Sequence, residues 1–127
     1  MKRIIIFSCL VITTSVYASG TPVVISLIHL LVFPDKFEGM NIRVSGYLQR
    51  DTGLKLYLTK EHADANDTPS SILLSDTNKG DISKSTCLSS FVTLEGKFFK
   101  SEVSSRHLIA NINRVYKPSN NMICWGN

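Results

Sequence analysis

The sequence predicts a mainly β fold: a five-stranded, partly open barrel preceded by a short N-terminal helix. Three observations carry this expectation. Apolar and polar residues alternate at period two over residues 42–49, 54–59, 91–100 and 107–116, the pattern of strands with one buried face. Asp51-Thr52-Gly53 separates the first two runs, and a three-residue loop with glycine at its left-handed position is a common hairpin closure. A long polar connection, residues 76–90, then parts a short third strand from the last two. The chain of 127 residues, 43% apolar and 19% charged, has room for one core and is not a disordered chain.

Met1-Lys2-Arg3 opens with two positive charges, Ile4 to Ile12 is largely apolar, and Val16-Tyr17-Ala18 places small residues where signal peptidase reads. Residues 1–18 are therefore expected to be a cleaved signal peptide, leaving residues 19–127 as a single domain in the periplasm or outside the cell. The apolar stretch is short for a membrane anchor, and no membrane association is expected once it is removed. A lipoprotein reading of Ile6-Phe7-Ser8-Cys9 stays open, although Phe7 is bulky for such a site. Loss of Lys2 and Arg3 lowers the net charge from +4 to +2. A domain so weakly basic is an unpromising nucleic-acid binder.

In the remaining chain Ser26 can cap a helix through Leu27, Leu30 and Leu31, which Pro34 stops. Residues 33–39 form a turn, with Gly39 suited to positive φ. Ile42, Val44, Gly46 and Leu48 line one face of the first strand, and Leu54, Leu56 and Leu58 one face of the second. The hairpin register pairs Arg50 with Leu54, Leu48 with Leu56 and Tyr47 with Tyr57. Lys60–Asp64 can make a helical turn, and Ile72-Leu73-Leu74 is the third strand. The window 81–88 can hold a short helix. Val92, Leu94, Gly96 and Phe98 face inward on the fourth strand, and Leu108, Ala110 and Ile112 on the fifth. Five strands with a break after the third follow the plan of an OB-like Greek-key barrel.

Cys87 and Cys124 are left as a pair after the signal is removed. With no C-x-x-C and no His near them at ligand spacing, a disulfide is the expectation in an oxidising compartment.

Two segments carry a resemblance. Residues 25–39, ending in the P-x-x-(F/Y)-x-G turn of Pro34 to Gly39, lead into the (V/I)-x-V-x-G strand of Ile42 to Gly46. Val92-Thr93-Leu94-Glu95-Gly96-Lys97-Phe98 follows the pattern V-T-(V/L)-E-G-x-F, and Asn111 to Val115 looks like a closing strand. Over residues 25–116 the chain resembles small exported bacterial proteins with an OB-like barrel, a group of uncharacterised function. The resemblance implies fold and export, and brings no catalytic residues.

Candidate chemistry is sparse. Asp35 with Glu38, and Asp64 with Asp67, flank turns and lack the alternating ligands of a calcium loop. His29, His62 and His107 stand apart in sequence, and no serine sits in a G-x-S-x-G elbow. No catalytic residue, metal or cofactor is expected. The outward face of the first hairpin is the best candidate: Tyr47 and Tyr57 side by side, with Arg43 and Lys55 near, could stack a sugar ring or a base. The competing reading is a stabilising cross-strand pair. The expectation is a non-enzymatic binding or interaction module, its partner another envelope protein, a small ligand or a glycan. An immunity or inhibitor protein that neutralises an exported toxin is the alternative, and a hydrolase on a barrel scaffold stands behind it.

Overall fold

The computed structural model describes residues 21–75 and 81–126. The signal-peptide and lipoprotein readings fall on residues 1–18, outside the described residues. Five strands form the barrel: β2 (Asn41–Arg50), β3 (Leu54–Tyr57), β4 (Ser71–Leu74), β5 (Ser90–Lys100) and β6 (His107–Lys117). They follow one another around the wall as β2-β3-β4-β6-β5, and β5 pairs back to β2. Only the β4–β6 seam of the barrel is parallel. This is the OB-like order the sequence predicts, but the barrel is closed rather than partly open. Closure comes from the length of β2. It pairs with β3 from Tyr47 to Arg50 and with β5 from Asn41 to Leu48, so neither edge of the sheet is left bare.

Two strands beyond the expected five extend this ladder. β1 (Val23–Val24) runs parallel to β2 at Ile42 and Arg43. β7 (Met122–Gly126) pairs with the C-terminal end of β6. Both add to stretches of a long strand that its barrel neighbour does not cover. Between β1 and β2, Ser26 caps α1 (Leu27–Val32) by accepting the His29 N–H. A 3-10 turn over Pro34–Phe37 follows, and Gly39 takes the positive φ expected of it. α2 (Lys60–Asp64) is capped by Thr59. The window 81–88 holds only a 3-10 turn, Ile82–Lys84.

The interior is apolar, built from Val44, Leu48, Leu56, Val92, Leu94 and Phe98 with the other inward residues of the wall. Leu27 and Leu30 of α1 and Ile82 of the β4–β5 connection join the same core. Cys87 and Cys124 form a disulfide with Cα atoms 5.4 Å apart, tying β7 to the chain just before β5.

β6 departs from simple alternation. Ile109, Ala110, Ile112 and Val115 are buried, whereas Leu108 is only half-buried. The ladder slips between Glu95 and Lys97, and Asn111 has φ +51°. This bulge inserts residues into β6 and changes which side chains point inward. Gly96 makes it possible: a Cβ there would lie 2.7 Å from Ile109 Cγ2 and 2.9 Å from the Ala110 carbonyl.

Candidate functional site

The predicted tyrosine platform has the expected register and the wrong exposure. Tyr47 does pair with Tyr57 and Gln49 with Lys55. Yet Tyr57 is 0% exposed, Lys55 is 8% exposed and Tyr47 is half-buried. The cause is Asp51, in the hairpin loop. Its carboxylate accepts a hydrogen bond from the Tyr57 hydroxyl and pairs with Lys55 Nζ at 3.0 Å. A phenol and an ammonium can leave water only when their polar atoms are paired, and one carboxylate serves both. α2 also packs against β2 and β3.

The titration behaviour follows. The hydrogen bond from Tyr57, helped by Lys55 and the Thr52 N–H, holds the Asp51 carboxyl down at about 2 despite some burial. Burial first, and then the Asp51 carboxylate, push the Tyr57 phenol up to about 12. The cluster locks the hairpin and offers no ligand platform. Sequence alternation placed both side chains on the outer face correctly. It carried no sign that a turn aspartate would fold back over them.

Arg43, the fourth predicted site residue, lies on another part of the outer wall. Arg43, Glu95 and Arg114 are directly opposite one another on β2, β5 and β6. Glu95 Oε1 receives Arg43 Nε at 2.8 Å and Arg114 Nη2 at 2.9 Å. Burial of Glu95 opposes its ionisation, but the two guanidinium groups outweigh it and keep the carboxyl below the usual range. Arg114 also stacks over Tyr116, 5.5 Å from the ring centroid. Beside this ladder Ser45 and Thr93 join hydroxyls at 2.7 Å.

Part of this outer face, Arg43 with Ser45 and Thr93, opens into a groove of about 610 Å³. Arg43, Ser45 and Thr93 lie at its base, Leu58 and Tyr116 border it, and the segment Val24 to Ile28 forms a wall. Val24 is 71% and Ile28 56% exposed, so the wall presents bare aliphatic surface. Among the described residues Arg43 is the one charged residue lining the groove, and its partner Glu95 is shared with Arg114 outside the lining. The arrangement suits an apolar segment that carries an acidic group. Sequence reasoning found Arg43 but not the groove, because the wall comes from β1 and the start of α1.

The fold also gathers three potential metal ligands that are far apart in the chain. Asp35, Glu38 and His107 each bring one donor atom to within 4.8 Å of the others.

No protein-family model, curated protein or solved structure matches the chain.

Proposed function

We propose that this chain is an exported, non-enzymatic binding module that acts in the periplasm or outside the cell. Its partner is an apolar segment of another envelope protein, seated along the groove between Val24–Ile28 and the Ser45–Thr93 floor. The observation that carries this reading is the exposed aliphatic wall beside a floor whose charged lining residue is Arg43. Burying such a wall against a partner is favourable at roughly 25 cal/mol per Å² of apolar surface, and the Arg43 guanidinium favours an acidic group in the partner.

Export is supported by the charged start and V-x-A site, by the resemblance to small exported barrels, and by the Cys87–Cys124 disulfide, which suits an oxidising compartment. Among the described residues no helix is long and apolar enough to cross a membrane.

The test places a photo-crosslinking residue at Ile28 in cells expressing the full chain. The expected result is one specific adduct in the envelope fraction, lost when Ser45→Trp fills the groove and kept when Glu102→Gln alters the β5–β6 turn. An adduct indifferent to Ser45→Trp, or none at all, overturns the groove as the binding site. Adduct formation in the cytoplasm alone overturns export.

A further inference from the structure

His107 is the first residue of β6 and pairs with Lys100 at the end of β5. Its ring is stacked on Phe98, with centroids 5.2 Å apart. Asp35 and Glu38 come from the turn after α1, more than sixty residues earlier in the sequence. That turn is pinned to the same end of β5. Gly39 N–H donates to the Phe98 carbonyl at 2.7 Å, Phe98 N–H to the Met40 carbonyl at 3.0 Å, and Lys100 N–H reaches Glu38 Oε1 at 3.4 Å. Backbone pairing therefore holds the turn that carries Asp35 and Glu38 beside the start of β6.

One atom in this cluster is left in an unfavourable state. His107 Nε2 is buried from water and has no hydrogen-bond partner. Its nearest charged neighbour, Asp35 Oδ1, stands 3.7 Å away, beyond hydrogen-bonding range. Without a proton Nε2 leaves a buried lone pair unused, and with one it leaves a buried N–H unused. Either is costly, and such orphaned groups need a partner. A cation between Nε2 and the two carboxylates supplies one.

We propose that Asp35, Glu38 and His107 form a binding site for a divalent transition-metal ion of the zinc type. One imidazole nitrogen and two carboxylates make a three-ligand set that leaves a coordination position open to water or to a partner's side chain. The imidazole argues against calcium and magnesium, which take oxygen ligands throughout. The geometry needs little adjustment. Tetrahedral donors about 2.0–2.1 Å from zinc lie roughly 3.4 Å from one another, against the present limit of 4.8 Å. Asp35, with its side chain 90% exposed, is free to swing inward, while the Phe98 stack holds the imidazole still. The Lys100 N–H on Glu38 Oε1 orients that carboxylate, as hydrogen bonds to metal-ligating carboxylates commonly do. This site is separate from the groove, and stands or falls without it.

The experiment titrates ZnCl₂ into purified, tag-free protein, with calorimetry for stoichiometry and Co²⁺ substitution for the ligand-field spectrum. One Zn²⁺ per chain is expected, with a Co²⁺ spectrum of low coordination number. His107→Phe keeps an aromatic ring on Phe98 and should weaken Zn²⁺ binding more than about tenfold, since loss of even an outer-shell partner costs that much. Asp35→Asn, on an exposed side chain, should do the same without touching the core. His62→Gln should change nothing. Failure of the wild type to bind Zn²⁺, full binding by both His107→Phe and Asp35→Asn, or displacement of Zn²⁺ by equimolar Ca²⁺ overturns the proposal.

Discussion

Replacing Tyr57 with phenylalanine removes one hydroxyl from the hairpin and leaves the ring in place. The hydroxyl donates to the Asp51 carboxylate, so the lost bond is of the charge-assisted kind, worth about 1.5–3 kcal/mol. Asp51 keeps Lys55 Nζ at 3.0 Å and the Thr52 N–H, and is not orphaned. The cost therefore sits at the low end, about 1.5 kcal/mol, which corresponds to a fall in Tm of roughly 6–12 °C for a domain of this size. Acidity supplies a second signature. The folded-state pKa of Asp51 is lowered from 3.8 to about 2, chiefly by Tyr57. A depressed carboxyl contributes stability that is present above the unfolded value and lost as pH falls through the folded one. The Tyr57→Phe deficit should thus be full at neutral pH and shrink between about pH 3.8 and pH 2. Urea denaturation of both proteins across that range, with equal m values, measures it. A deficit below about 0.5 kcal/mol at neutral pH, less than an ordinary hydrogen bond contributes, would refute the reasoning. So would one that stays constant down to pH 2. Tyr57→Ala, by contrast, empties a buried aromatic site and should cost about 3–5 kcal/mol.

Four further outcomes are expected. Cys87→Ser should free one thiol in a denaturing titration and cost about 4 kcal/mol by the entropy of a loop with a sequence separation of 37, read from urea melts under non-reducing conditions. Gly96→Ala forces a Cβ to within 2.9 Å of the Ala110 carbonyl and should destabilise by about 1–3 kcal/mol, measured by thermal melting. Glu95→Ala leaves Arg43 and Arg114 facing each other without their shared carboxylate. Since both guanidinium groups are about one-third exposed, the cost should be about 1–3 kcal/mol rather than that of a fully buried pair, and added salt should recover part of it. Intact mass of the protein recovered from the periplasm should correspond to a chain beginning near Ser19, and full-length protein held in the membrane would contradict export.

What the sequence discloses of this fold depends on how local the cause is. The β2–β3 register is readable because a three-residue loop and one leucine face leave a single consistent pairing. α1, the Gly39 turn and α2 are readable from caps, Pro34 and backbone preferences within a few residues. β1 and β7 are not, because strands of two and five residues carry too little alternation to mark themselves, and they exist only by pairing with β2 and β6. The inward face of β6 is misread as Leu108-Ala110-Ile112 because a bulge at Asn111 shifts the phase. The site is harder still. Burial of Tyr57 and Lys55 depends on where Asp51 turns, and the Asp35–Glu38–His107 cluster on a turn docking onto the end of β5. Both are tertiary events that periodicity does not encode.

The closed ring has a consequence for when this chain can fold. The β2–β5 and β4–β6 seams both need residues from the last third of the sequence. A nascent chain ending before His107 holds β2, β3, β4 and β5 as an open sheet whose β4 and β5 edges lack β6, so its apolar interior stays open to water. Loop closure over such separations comes late, because its entropy must be met before the new contacts reward it. The barrel is thus withheld until the C-terminal strands have emerged. Chains arrested before His107 should be digested by protease throughout β2–β4, while chains extended through Gly126 should resist.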